Sequence, residues 1–228
     1  MTNKKSINAL EILKEAFEIV KRNSEIIELY VLQFIIVIIT MISLLGLPIF
    51  LKFIGAGFLA KSSILTTQFL HQYLYALITA ITIIFIIQLT ITGAVISLVA
   101  SIKRGRKISI SKALKIGLNR VPYLIAGAIV TSFVVGMGLI ALIIPGLYLL
   151  VRLLLFQQAC VIDGSIGVKK SWEVTKGRFW DVAVILIVLF SIAFGISLFP
   201  YIGPLINSLL ITPLAVTTWT LVYLKIRK

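Results

Sequence analysis

Apolar residues fall into six long stretches separated by short polar segments. A helix needs about 20 mostly apolar residues to cross a hydrocarbon core about 30 Å thick. The pattern therefore predicts an all-α polytopic integral membrane bundle of six transmembrane helices, with residues 1–228 forming a single membrane domain. The predicted spans are residues 27–50, 73–102, 121–144, 147–162, 179–199 and 204–224.

The third and fourth stretches are joined through Pro145-Gly146. Proline ends a helix and glycine permits a tight turn, so this dipeptide predicts the turn of a hairpin. A single broken helix over 121–162 would be about twice as long as one crossing needs. The two stretches are therefore interpreted as separate spans.

Composition supports the same class of protein. Hydrophobic residues make up 60% of the chain and charged residues 13%, with a mean hydropathy of +1.11. A soluble domain is nearer half apolar and a quarter charged, so this balance excludes an ordinary water-soluble globule. The surplus of apolar side chains is expected to face lipid.

Basic residues predict the orientation. The chain has 22 Lys+Arg against 8 Asp+Glu, and most of the basic residues lie in the N-terminal arm 1–26, in segments 103–120 and 163–178, and in the C-terminal tail. The opposite side carries Lys52 and Lys61. Short cytoplasmic loops collect Lys and Arg. We therefore expect a multi-pass protein of the cell (cytoplasmic) membrane with both termini cytoplasmic.

The basic segments also predict partners. Each Lys or Arg near an anionic bilayer surface contributes about 1 kcal/mol of attraction, so we expect contacts with anionic headgroups on the cytoplasmic face. Topology accounts for where these charges lie, and no nucleic acid is predicted. Trp172, Trp180 and Trp219 are the predicted interfacial anchors. The candidate lipid contacts are Lys103, Arg104, Arg106, Lys107, Lys169, Lys170, Lys176 and Arg178.

Each basic segment predicts an amphipathic interfacial helix that precedes a hairpin of two spans. The predicted apolar faces are Ile7, Leu10, Leu13, Phe17 and Val20 in the first helix, Ile110, Leu114, Gly117 and Val121 in the second, and Val168, Trp172, Thr175 and Phe179 in the third. When the three segments are aligned, each has a small residue followed by a bulky apolar residue and then a polar residue. The aligned triplets are Ala16-Phe17-Glu18, Gly117-Leu118-Asn119 and Ser171-Trp172-Glu173. Two interpretations stay open: internal duplication, or connectors that are amphipathic because they lie at the interface.

One region resembles a known domain. The residues that carry the resemblance are Ile144-Pro145-Gly146-Leu147-Tyr148, Val151-Arg152, Asp163-Gly164 and the run from Ser171 to Trp180. They are similar to the membrane domain attached to some glycerophosphoryl diester phosphodiesterases and to related uncharacterised prokaryotic multi-span families. The resemblance, best over 138–188, implies a six-span helical protein of the cytoplasmic membrane. The enzyme's catalytic barrel is a separate soluble domain with no counterpart in this sequence, so no active site is carried over.

Few residues here are suited to catalysis. The sequence has one His and one Cys, too few for a His-based metal cluster or a disulfide framework. We expect His71 to be solvated in an outer loop and Cys160 to be a small buried hydrophobe. Five of the eight acidic residues lie among Lys and Arg in the N-terminal arm or, in the case of Glu28, directly after it. The sequence therefore predicts a protein that is not an enzyme and has no cofactor or metal.

Arg152 is the exception within the spans. Counting at 1.5 Å per residue places it about 8 Å inside the outer end of the fourth span. A charge there costs a few kcal/mol unless it pairs or extends to the interface. Arg152 could contact outer lipid phosphates or cap helix carbonyls, or it could face a polar cavity and attract an anion. The predicted members of that intramembrane site are Arg152, Gln88, Gln157 and Asn207.

Two functions follow from these observations. The first is a non-enzymatic membrane component that binds lipid or recruits a partner, in an unknown process. The alternative is a small carrier or channel for an ion, a lipid or a small anionic solute, with a polar path near Arg152. The spans lack the acidic residues that cation-coupled transport usually uses, which favours the first. Association with a second copy or with another membrane protein stays open.

Overall fold

The computed structural model describes residues 7–46, 67–200 and 202–227, and every regular element in those ranges is helical. The helices are α1 (Ala9–Arg22), α2 (Ser24–Leu45), α3 (Thr67–Lys103), α4 (Ile110–Ala141), α5 (Ile143–Leu153), α6 (Phe156–Asp163), α7 (Val168–Thr175), α8 (Phe179–Ser197), α9 (Ile202–Ile206) and α10 (Thr212–Ile226), with a π-helical turn at Asn207–Ile211. Most of the predicted outer loop, with Lys52 and Lys61, lies outside the described residues.

Six helical segments are long and apolar enough to cross a membrane, which confirms the predicted all-α bundle. They are α2, most of α3, α4, α5 with α6, α8, and α9 with α10. The third span differs from its prediction because the basic connector before it is not a separate helix. Helix α4 runs without a break from Ile110 through Pro122 to Ala141.

The predicted hairpin between the third and fourth spans is confirmed, but its turn lies earlier than expected. Leu142 has an extended backbone and separates α4 from α5. Pro145 therefore lies in the first turn of α5, where a missing N–H costs no intrahelical hydrogen bond. Gly146 packs against α4, since a Cβ there would lie 2.6 Å from the backbone nitrogen of Leu139.

The sixth span is irregular near Pro213. The π-helical turn comes directly before α10, and Pro213 is in the first turn of α10. Because proline lacks an N–H, the ordinary i to i−4 hydrogen bond cannot form at this residue. The Thr212 hydroxyl donates to the carbonyl of Asn207 at 2.8 Å.

The chain forms three units, each consisting of a leading helix followed by a hairpin of two spans. The leading helices are α1, the first turns of α4 (110–121) and α7. The second span of each hairpin contacts the leading helix of the next unit: α3 contacts α4, α5 and α6 contact α7, and α10 contacts α1. The three units therefore close into a ring.

The second spans of the three hairpins form the interior of this ring. They contact one another, and 61%, 50% and 33% of the residues in their apolar stretches are buried. The first spans α2, α4 and α8 are outer helices, with 17%, 17% and 22% of the corresponding residues buried. The outer helices therefore present most of the apolar surface to the surroundings.

The three leading helices share one pattern of burial. In windows 12–20, 113–121 and 167–175, the first, fifth and ninth residues are buried and the third, sixth and seventh are exposed. The remaining residues are intermediate in all three windows. The aligned triplets thus place the small residue inward and the bulky apolar residue outward, so the three segments are equivalent in packing.

This pattern corrects the predicted face of α1 in part. Ile7 and Val20 are buried as predicted, but Leu10 and Phe17 are 67% and 59% exposed. Ile12 and Ala16 are buried instead. Helix α1 carries apolar residues on more than one side, and the buried side has the small Ala16 at its centre. A small side chain permits the closer helix approach, so the bulky residues are left outside.

Candidate functional site

The Arg152 guanidinium contacts two aromatic rings, that of Tyr148 in the second unit and that of Trp172 in the third unit. Its guanidinium carbon is 4.2 Å from the ring centre of Trp172 and 5.9 Å from that of Tyr148. Only 4% of Arg152 is exposed, and its Nε has no hydrogen-bond partner among the described residues. Cations over aromatic faces are attracted by the ring quadrupole. The Arg152 guanidinium thus contacts one aromatic ring from each of these two units.

The depth predicted for this region is wrong. Counting residues placed Tyr148 and Arg152 near the outer end of the fourth span and Trp172 and Phe179 at the inner boundary. The rings of Tyr148 and Phe179 stack at 5.2 Å, and Tyr148 meets Trp172 edge-on at 6.1 Å. These four residues therefore lie at one depth in the bundle. The prediction treated each span as a straight and independent helix, and that assumption places the residues at different depths.

The backbone at Arg152 anchors helix α7. The fourth span breaks at residues 154–155, between α5 and α6. Two residues before the break, the Arg152 carbonyl accepts a hydrogen bond from Ser171 Oγ at 3.0 Å. Thr175 Oγ1 lies 3.1 Å from the same carbonyl, and its one O–H is shared with the Ser171 carbonyl at 2.8 Å. Sequence reasoning missed this pair. The sequence did carry a signal for this contact, since two small hydroxyl residues lie four positions apart beside the basic face of the segment.

The structure does not bring the predicted intramembrane polar set together. Gln88 accepts from Gln33 Nε2 and its own Nε2 lies 3.4 Å from Thr92 Oγ1, so it links α2 to α3. Gln157 and Asn207 line a groove between the second and third units, and neither Gln88 nor Arg152 belongs to that lining.

This inter-unit groove has a volume of about 660 Å³ and is bounded by α4, α5, α6, α8 and α10. Its lining is mostly apolar and contains no charged residue among those described. Trp219, predicted as an interfacial anchor, lines this groove. Trp172 and Trp180 are exposed on the outside of the bundle.

A second cavity, of about 710 Å³, lies where the ends of α3 and α10 meet α1. We call this part of the molecule the basic end. Ile12, Leu221 and Leu224 form its apolar wall. The charged residues that line it are Glu15, Lys103, Arg104, Lys225 and Arg227.

The predicted lipid-contacting cations divide into two groups. Three have acidic partners: Lys103 pairs with Glu15, Lys170 with Glu173 at 3.6 Å, and Arg178 with Asp181 at 3.1 Å. The others are exposed on the surface: Arg104, Arg106, Lys107, Lys169 and Lys176.

Asp163, on α6, contacts the C-terminal end of α10 next to the basic end. This carboxylate accepts a hydrogen bond from the Tyr223 hydroxyl and pairs with Arg227 at 2.6 Å. Tyr223 is fully buried, so the contact fixes the end of α10 against α6.

Cys160 lines neither of the two cavities. Cys160 is buried, as predicted, and its thiol donates to the carbonyl of Ile166 at 2.9 Å. The side chain of His71 lies outside the described part of the chain.

Comparison of the chain with protein-family models, with curated proteins and with solved structures found no match. The resemblance to the phosphodiesterase-associated membrane domain therefore stays a prediction.

Proposed function

We propose that this chain is a non-enzymatic, lipid-interacting protein of the cytoplasmic membrane whose leading helices bind anionic headgroups. The observation that carries the proposal is a repeated pair of exposed residues. A lysine occupies the third position of each aligned window, and a bulky apolar residue follows three positions later. The pairs are Lys14 with Phe17, Lys115 with Leu118, and Lys169 with Trp172.

Residues three apart lie on one face of a helix. An exposed apolar side chain is stable where it enters the boundary of the acyl chains, and a neighbouring lysine can extend its ammonium group to the phosphates. All three leading helices have this arrangement on their exposed side. The three leading helices would therefore bind the anionic leaflet at three separate places around the bundle.

The carrier alternative depended on a polar path shared by Arg152 and the three amides. Gln157 and Asn207 line the inter-unit groove, whereas Arg152 and Gln88 do not. This arrangement favours a component that binds lipid over one that moves an anion past Arg152.

Lipid titration of the purified protein tests the proposal. Phosphatidylglycerol should raise the thermal stability of the protein in neutral detergent, and phosphatidylcholine should not. Substituting Lys14→Gln, Lys115→Gln and Lys169→Gln together should reduce the phosphatidylglycerol effect by about 1 kcal/mol per lysine.

A control with the same change in net charge is Lys107→Gln, Lys112→Gln and Lys225→Gln. These exposed lysines lie outside the repeated position, so we expect a smaller loss. Equal losses in both triple variants would mean that net charge alone attracts the lipid, and the role proposed for the leading helices would be wrong.

The proposal also requires the basic end to face the cytoplasm. In a Cys160→Ala background, Lys107→Cys should react with an impermeant maleimide only after the cells are permeabilised. Lys52→Cys, on the predicted outer side, should react in intact cells. Labelling of Lys107→Cys in intact cells would contradict the proposed orientation.

A further inference from the structure

The inter-unit groove contains buried hydrogen-bond acceptors that the protein does not satisfy. Thr131 Oγ1, Gln158 Oε1 and Asn207 Oδ1 are buried and have no partner among the described residues. All three residues line the groove. The three residues come from α4, α6 and the π-helical turn, so they belong to different walls of the groove.

The orientation of the Asn207 amide is fixed by its neighbours. Its Nδ2 donates to the Ala193 carbonyl at 3.1 Å and to Ser197 Oγ at 2.7 Å. An amide nitrogen has two N–H donors, and these two contacts account for both. The atom left without a partner is therefore the oxygen, an acceptor.

Gln158 is the most deeply buried member of this set, with 2% of the residue exposed. Inside a bilayer there is no bulk water to satisfy a buried polar atom. Such an acceptor is normally paired, and an unpaired one calls for an explanation. A ligand that enters the groove and donates hydrogen bonds would supply the missing partners.

The charge of the lining limits what that ligand can be. With no charged residue in the described lining, a phosphate or an ammonium group would be buried without a counter-charge, which is strongly unfavourable. An uncharged hydroxyl fits the unpaired acceptors. The apolar walls, which belong to membrane-spanning helices, fit acyl chains.

We propose that the inter-unit groove binds a neutral bilayer lipid with a free hydroxyl group, of the diacylglycerol class. Its hydroxyl donates to Gln158 or Asn207 while its acyl chains cover the apolar wall. This site differs in place and in ligand charge from the headgroup contacts of the leading helices, so either proposal can fail without the other.

Trp219 lines the groove and reports on its occupancy. In a Trp172→Phe, Trp180→Phe background it is the one tryptophan left. The protein is held in phosphatidylcholine nanodiscs and titrated with a diacylglycerol brominated on its acyl chains. We expect saturable quenching of Trp219, and competition by unlabelled diacylglycerol.

The same brominated lipid acetylated at its hydroxyl is the matched ligand control, because it keeps the chains and loses the donor. We expect it to bind at least tenfold more weakly. Gln158→Leu should weaken diacylglycerol binding about tenfold and leave the acetylated lipid unchanged. Gln88→Leu removes an amide outside the groove and should leave binding of both lipids unchanged.

Equal binding of the two lipids would overturn the proposal, as would equal effects of the two leucine variants. Stronger quenching by brominated phosphatidylglycerol would show that the occupant is anionic. Absence of quenching by any lipid, together with disulfide cross-linking of Trp219→Cys between chains, would show that a second copy fills the groove.

Discussion

Replacing Gly117 by alanine should destabilise the contact between the first two units. A Cβ at this position would lie 2.2 Å from the Thr90 carbonyl oxygen and 2.8 Å from the Ala94 nitrogen. Both are backbone atoms of α3, so no side chain can move aside to admit the methyl group. We expect a loss of about 3 kcal/mol in the free energy of unfolding, the upper part of the usual range for overpacking. The midpoint of thermal unfolding in detergent measures it.

Gly136→Ala is the matched control because Gly136 lies in the same helix. A Cβ there would meet no heavy atom within 4 Å. Alanine is also the better helix former, so the thermal midpoint should stay the same or rise slightly. If Gly117→Ala were as stable as this control, the backbone contact between α3 and α4 would not determine how the units join.

The second large effect is expected where α7 meets the broken fourth span. The double variant Ser171→Ala, Thr175→Val removes both hydroxyls that lie within hydrogen-bond distance of the Arg152 carbonyl. Both side chains are fully buried, so the carbonyl would be left without these partners. An unsatisfied buried polar group costs about 1–3 kcal/mol. Unfolding in detergent should show a loss of that size.

Thr82→Val separates this effect from the loss of any threonine hydroxyl. The Thr82 hydroxyl donates only to the carbonyl of Ile78 in its own helix, at an exposed position. We expect almost no change in stability. A similar loss in both proteins would show that the contact with Arg152 adds nothing beyond local helix packing.

The six spans could be predicted because crossing a bilayer imposes a length and an apolar composition that any reader of the sequence can recognise. The sequence could not be used to predict which of the six spans lie inside the bundle. Lipid and protein interior are equally apolar, so hydropathy does not separate an inner helix from an outer one. The first two spans are equally hydrophobic, yet α2 is mostly outside and α3 mostly inside. Packing of small residues such as Gly93 against Gly117 makes that difference.

The candidate sites were predicted less well for a related reason. Polar residues within spans mark hydrogen bonds, but their position around the helix axis depends on breaks that the sequence shows weakly. The break after Leu153 brings Arg152 to Trp172, and the π-helical turn brings Asn207 to Ala193. The aligned triplets were recognised correctly. The buried side of α1 was not, because Phe17 is more hydrophobic than Ala16 but too large for the contact.

The contact between α1 and α10 has a consequence for biosynthesis. Helix α1 is synthesised before α10, and α10 is the helix that covers Ile12 in the folded protein. Until α10 has been made, the inward side of α1 must be covered by lipid or by the insertion machinery. Synthesis and insertion of α10 are thus the step that permits closure of the ring.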